Sequence, residues 1–134
     1  MKTSPQNLRL LASCPDHVGI LAKVANFIAD RGANITEANQ YEDKRSKTFF
    51  MRYGFELSAS DEVEEFRYAF TDLANSLDMD WRITDVARRQ KVVLLVSKFD
   101  HCLAYLLHRW KVGDLKIDIP CVISNHEDLR ELVE

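Results

Sequence analysis

The residues best equipped for chemistry fall in a few short stretches. Ser97-Lys98 and His101-Cys102 straddle the point where a continuous apolar run, Lys91 to Ser97, gives way to a segment with leucines at helical spacing. A strand's C-terminal end followed by a helix start is where open α/β sheets bind anions and cofactors, because the first-turn N–H groups are unpaired. Close approach to phosphate calls for glycine, and none lies between Lys91 and Arg109. The reading kept for Ser97, Lys98 and His101 is therefore a loop lining a substrate cleft, against the plainer one of capping by Asp100 and local packing. Cys102 and His101 do not form a nucleophilic couple, since adjacent helix residues point about 100° apart. The four histidines and three cysteines contain no C-x-x-C or H-x₃-H pair, although His101 and His108 lie two helical turns apart, so no metal site is expected. Asn125-His126 is a bare pair at the end of an apolar run and is given no catalytic role.

The elements that must position these residues follow from periodicity. Leu8 to Ser13 reads as a short strand that ends in Cys14-Pro15-Asp16-His17, with Asp16 as acceptor for the free N–H groups of a starting helix. Val18, Leu21, Val24, Ala25 and Ile28 give that helix its stripe, and Arg31-Gly32 ends it through glycine's access to the left-handed conformation. Ile35 to Tyr41 is a second strand, and Glu42 to Lys47 a solvated connection. Phe49, Met51, Tyr53, Phe55 and Leu57 then alternate, which makes a third strand with one apolar face. Asp61 opens a second helix with Val63, Phe66, Phe70, Leu73 and Leu77 on one side, and Trp81 to Val86 is a fourth strand. The order βαββαβ is the ferredoxin-like arrangement of four antiparallel strands with two helices on one face. Its other face, or an edge strand, is left for a partner.

After Ala87-Arg88-Arg89-Gln90 the pattern changes. Lys91 to Ser97 lacks alternation and reads as a strand buried on both faces. A helix follows with Leu103, Leu106, Leu107 and Trp110 on one stripe, closing near Gly113; Leu115 to Ser124 is another strand, and Glu127 to Glu134 begins a helix. Strand, crossover helix and strand form the opening of a parallel α/β sheet. Two parallel strands cannot cover both of their own faces, so this half is expected to need further chain or a partner.

Composition bounds the function. In 134 residues, 46% are hydrophobic and 29% charged, and 18 Lys+Arg against 21 Asp+Glu give a formal charge of −3. That balance speaks against a protein devoted to phosphate backbones. An odd number of cysteines set in apolar stretches fits a reducing compartment. Leu11-Ala12-Ser13-Cys14 has the form of a lipoprotein cleavage box, but the polar Ser4, Pro5, Gln6, Asn7 and Arg9 stand where an apolar core is needed. No apolar run approaches the ~20 residues that span a bilayer. The expected location is the cytoplasm, with no nucleic-acid or membrane partner. An RNA-recognition domain shares βαββαβ, and Lys47-Thr48-Phe49-Phe50-Met51-Arg52-Tyr53 bears only a faint likeness to its strand-three signature. The signature's glycine is missing, however, as are strand one's aromatic and the basic charge.

Cys14-Pro15-Asp16-His17-Val18-Gly19-Ile20-Leu21 followed by Gly32-Ala33-Asn34-Ile35 resembles the ACT domain, a regulatory module that binds amino acids at the seam between paired copies. The resemblance implies effector binding by Asp16, His17, Gly19, Ile20 and Asn34. Gly19 would admit a carboxylate to backbone amides, and Asp16 and Asn34 would take an ammonium group. More specifically, Cys14-Pro15-Asp16, Thr48-Phe49-Phe50-Met51-Arg52, the stretch from Lys91 to Leu103 with its Ser-Lys-x-x-His-Cys-Leu element, and Ile117 to His126 together resemble formyltetrahydrofolate deformylase.

That resemblance implies an α+β chain: an ACT regulatory domain over 8–88, then over 91–134 the first βαβ unit of an incomplete, Rossmann-like formyltransferase domain. It also implies a hydrolase that converts 10-formyltetrahydrofolate and water to formate and tetrahydrofolate for purine synthesis. Folate is there the substrate, so no cofactor is called for. Glycine or methionine is the implied effector and a homo-oligomer through the ACT domain the implied assembly. The family's catalytic Asn, His and Asp belong to later parts of the hydrolase domain, and no position here is assigned to them. This piece alone is therefore expected to be inactive. The alternative is a stand-alone amino-acid-sensing ACT module or an inactive structural fragment.

Overall fold

A computed structural model describes residues 4–58 and 63–134 and divides the chain into two compact units, Met1–Ala87 and Arg88–Glu134. In the first unit the order is β1 (Gln6–Pro15), α1 (Ile20–Asp30), β2 (Asn34–Asp43), β3 (Thr48–Leu57), α2 (Val63–Ser76) and β4 (Asp80–Asp85). The four strands form one antiparallel sheet in the order β2-β3-β1-β4. This is the ferredoxin-like fold that alternation and helical spacing predict.

The core lies between one sheet face and the two helices. Leu8, Leu10 and Ala12 of β1 and Met51, Tyr53, Phe55 and Leu57 of β3 point into it, against Ile20, Val24 and Ile28 of α1 and Val63, Phe66, Phe70 and Ala74 of α2. An aromatic cluster ties the layers together. Phe66 stacks on Phe55 at 5.0 Å, and Phe70 meets Phe27 at 5.4 Å and Trp81 at 4.8 Å edge to face. Such pairs add roughly 0.5–1.5 kcal/mol each to the area they bury.

Gly32 ends α1 as expected. It is left-handed at φ 71°, and the N–H groups of Gly32 and Ala33 donate to Ala29 and Ile28 carbonyls at 2.9 and 3.2 Å, a Schellman closure. The start of α1 differs from expectation. The helix begins at Ile20 with Gly19 as N-cap, and no side chain caps it. Asp16 belongs to the turn before it, where its N–H donates to the Lys47 carbonyl at 2.9 Å. That bond keeps Asp16 on the edge of the sheet, one residue past the end of β1, rather than at a helix start. The stripe shifts accordingly to Ile20, Val24 and Ile28, leaving Val18 97% exposed and Leu21 half exposed. The predicted opening of α2 at Asp61 lies outside the described residues.

In the second unit β5 (Gln90–Lys91), β6 (Leu94–Val96), α3 (His101–Lys111), β7 (Ile117–Asp118), β8 (Val122–Ser124) and α4 (Arg130–Val133) follow in order. The parallel pairing is present, but each expected strand is broken in two: β5 pairs with β7 and β6 with β8. Pro120 has no N–H and sits between β7 and β8, where it interrupts the ladder. The expected burial of the first strand on both faces is not met either, since Leu95 is 81% exposed and Val93 41%. Leu103 and Leu107 of α3 are buried, whereas Leu106 is partly exposed. Gly113 at φ 84° closes α3 by a second Schellman pattern, with Gly113 and Asp114 N–H groups donating to Trp110 and Arg109 carbonyls. Asp100 occupies the N-cap position, yet its side chain makes no capping bond. The helix expected from Glu127 forms only over Arg130–Val133.

Candidate functional site

The turn between β1 and α1 is built to leave a helix start open. Gly19 adopts φ 93°, ψ 0°, a left-handed conformation that strains any side chain, and a Cβ placed there would meet nothing within 4 Å. The first turn of α1 has neither a side-chain cap nor an acidic residue. Its N–H groups and the positive end of the helix dipole therefore face outward without an internal anion. Asp16 and His17 are exposed beside it, the latter's Nδ1 lying 3.0 Å from the Pro15 carbonyl oxygen, and Ile20 anchors the turn from the buried side. Beneath the turn, burial and the charges of Asp16 and Asp78 push the Cys14 thiol up from its ordinary value, so it stays protonated and is no nucleophile.

Asn34 is not part of this turn within one copy. It opens β2 opposite Glu56, whereas Pro15, at the edge of the turn, is opposite Thr48. From Thr48 to Glu56 the sheet runs roughly 25 Å at about 3.3 Å per residue. Asp16, His17, Gly19 and Ile20 thus share one end of the sheet, and Asn34 stands at the other.

In the second unit, pairing of Val96 with Ser124 puts Ser97 and Asn125 at the same C-terminal edge of β6 and β8. The Ser124 hydroxyl reaches the Ser97 carbonyl at 3.5 Å and accepts the His126 N–H at 3.1 Å. Ser97 and Lys98 form the exposed loop into α3, and His101 is that helix's first, exposed residue. A concavity of about 620 Å³ at this edge is lined by Ser124, Asn125, His126 and Arg130 among others; Ser97, Lys98 and His101 are not in its lining. Sequence reasoning missed the bond from the Trp110 indole N–H to the Ile117 carbonyl, 2.9 Å, which ties α3 to β7. A tryptophan at the end of an apolar stripe, with a polar edge to satisfy, was the available signal.

Two electrostatic features complete the picture. The Arg52 guanidinium hydrogen-bonds Glu37 across β2 and β3 and holds that carboxyl below its usual range. Asp43 is likewise lowered, by the Ser46 hydroxyl and the Arg45 N–H that it accepts in the hairpin turn. Among the described residues no cluster of three His, Cys, Asp or Glu is placed to hold a metal, and no helix is long and apolar enough to cross a membrane.

The ACT domain family model matches residues 8–69, within the ferredoxin-like N-terminal unit. An ACT domain protein from Streptococcus pneumoniae superposes on 61% of the chain with a TM-score of 0.55 at 22% identity, a likeness of fold. The chain as a whole is homologous to formyltetrahydrofolate deformylases. The enzyme of that name from Bacillus subtilis is 43% identical over 94% of this chain. The crystal structure of a formyltetrahydrofolate deformylase from Pseudomonas syringae pv. tomato matches 99% of it at 48% identity and a TM-score of 0.83. The chain spans less than half of these relatives, 43% of the first and 45% of the second.

Proposed function

We propose that the chain is the regulatory, N-terminal part of a formyltetrahydrofolate deformylase, with an ACT domain over 8–88 and the first βαβ of the formyltransferase-like hydrolase domain over 91–134. The observation that carries this reading is a match of 43–48% identity running through both units to under half of each relative. The whole protein then hydrolyses 10-formyltetrahydrofolate to formate and tetrahydrofolate, supplies formate for purine synthesis, and works in the cytoplasm without a cofactor. In it Ser97, Lys98 and His101 line the substrate cleft, at the strand ends where such sheets bind ligands. Catalysis falls to residues outside the 134.

The ACT domain's part is to sense an amino acid such as glycine or methionine. An open helix start takes the carboxylate over Gly19, with Asp16 and His17 beside it. Asn34 joins the site from a second copy. A two-fold arrangement that sets two domains side by side brings the Asn34 end of one against the Asp16 end of the other, and an isologous homo-oligomer repeats that contact twice. The test is the intact mass of the native protein together with formate release from 10-formyltetrahydrofolate. A polypeptide of roughly 280 residues that releases formate is expected; a native 134-residue protein with no such activity in any preparation overturns the reading in favour of a free-standing ACT module.

A further inference from the structure

The turn that opens α1 is tied to a hairpin loop from elsewhere in the chain. β3 lies between β2 and β1, and its first residue, Thr48, pairs with Asp43 of β2 on one side and with Pro15 of β1 on the other. The loop from Lys44 to Lys47 therefore stands at the same end of the sheet as the β1–α1 turn. Pro15 has no N–H to give. The Asp16 amide does, and it donates to the Lys47 carbonyl at 2.9 Å. Among the described residues this is the last backbone bond to the sheet before the helix.

Lys47 presents that carbonyl from a left-handed conformation, φ 53°, which residues with a side chain rarely adopt. Lys44-Arg45-Ser46-Lys47 contains no apolar residue that could anchor the loop by burial. Hydrogen bonds decide its shape instead, and Asp43 makes the central ones. One carboxylate oxygen accepts the Arg45 N–H at 3.0 Å and the other the Ser46 hydroxyl at 2.8 Å, an Asx-type closure. The Thr48 hydroxyl adds a bond to the Ser46 carbonyl at 3.4 Å. Closing a hairpin needs no more than this; what reaches further is the bond from Lys47 to the neighbouring turn. We propose that Asp43 is a positioning residue for the effector turn. By fixing the loop it sets the Lys47 carbonyl, and through the Asp16 amide it places the Asp16 carboxylate relative to the open helix start at Gly19. Its own carboxylate is taken up by Arg45 and Ser46 and touches no effector. The proposal rests on the effector reading given above.

Backbone amide hydrogen exchange and calorimetric titration with glycine and methionine, both on the full 134-residue chain, test it. Asp43→Ala should speed exchange of the Asp16 amide by about tenfold or more, and that of Leu10, in the middle of β1, far less. The same variant should weaken whichever amino acid binds by about fivefold or more. Asp43→Asn keeps an acceptor for the Arg45 N–H and loses the charge, so it should recover most of both effects if hydrogen bonding carries the role. Asp16 exchange that is unchanged in Asp43→Ala would show that the loop does not hold the turn. Faster exchange with undiminished affinity would reduce Asp43 to a hairpin closure and overturn the positioning role alone. A parent chain that binds neither amino acid would instead remove the effector reading, and this role with it.

Discussion

Asp16 and Asn34, the two side chains suited to an effector's ammonium group, stand at opposite ends of one sheet, separated by the whole paired length of β3. A site that uses both is incomplete in a single copy. Glycine or methionine at 100-fold above Kd should raise Tm by on the order of 10 °C. Asp16→Ala and Asn34→Ala should each abolish the rise. Mixing the two variants should restore it for part of the population, because a mixed pair keeps one intact seam. A rise that survives Asn34→Ala in full would place the site within one copy.

Catalysis offers a second check. The purified 134-residue chain should release no formate from 10-formyltetrahydrofolate above the uncatalysed rate, since Ser97, Lys98 and His101 line a loop without a partnered base or nucleophile among the described residues. Formate production that follows the protein through purification would sink the assignment of catalysis to residues elsewhere.

Phe70 tests the core. It is fully buried and touches Phe27, Phe66 and Trp81. Phe70→Ala should cost about 3–5 kcal/mol, through lost burial and the cavity left behind. Urea denaturation of the chain and the variant measures it directly. Leu106→Ala on the partly exposed side of α3 should cost far less.

The cysteines should separate by reactivity. Cys102 and Cys121 are exposed, whereas Cys14 is buried and its thiol is held up by burial and by Asp16 and Asp78. Iodoacetamide at pH 8 should label two thiols in the native chain and three after denaturation, as read by intact mass. Because the folded thiol's pKa lies above its unfolded value, Cys14 favours folding below the ordinary thiol value. That contribution fades as pH rises through the folded one.

Acid should act on the hairpin turn. Asp43 has its pKa lowered in the fold by the Ser46 hydroxyl and the Arg45 N–H. Its contribution is therefore present above the ordinary aspartate value, about 3.9, and is lost as pH falls through the lower folded value. Stability of Asp43→Asn should depend less on pH across that window than stability of the parent chain; identical slopes would remove Asp43 as a contributor.

Much of the first unit was legible from local order, because alternation in β3 and the three-and-four spacing in α2 report directly which face a residue turns inward. Gly32 was readable for the same reason, as the end of a helix needs a left-handed residue that few others supply cheaply. The start of α1 was not. Asp16 has the chemistry of a cap, but a backbone bond to Lys47, thirty-one positions away, delays the helix to Ile20. Local propensity holds no information about such a pairing.

The sequence by itself determined the βαββαβ order, the apolar faces and the motifs that connect the chain to deformylases, since each is written in neighbouring residues. Tertiary structure alone decided which of those residues meet. It placed Asn34 far from Asp16 and broke the second unit's strands about Pro120. Strand register is a long-range choice made by the whole sheet, and no short stretch of the chain encodes it.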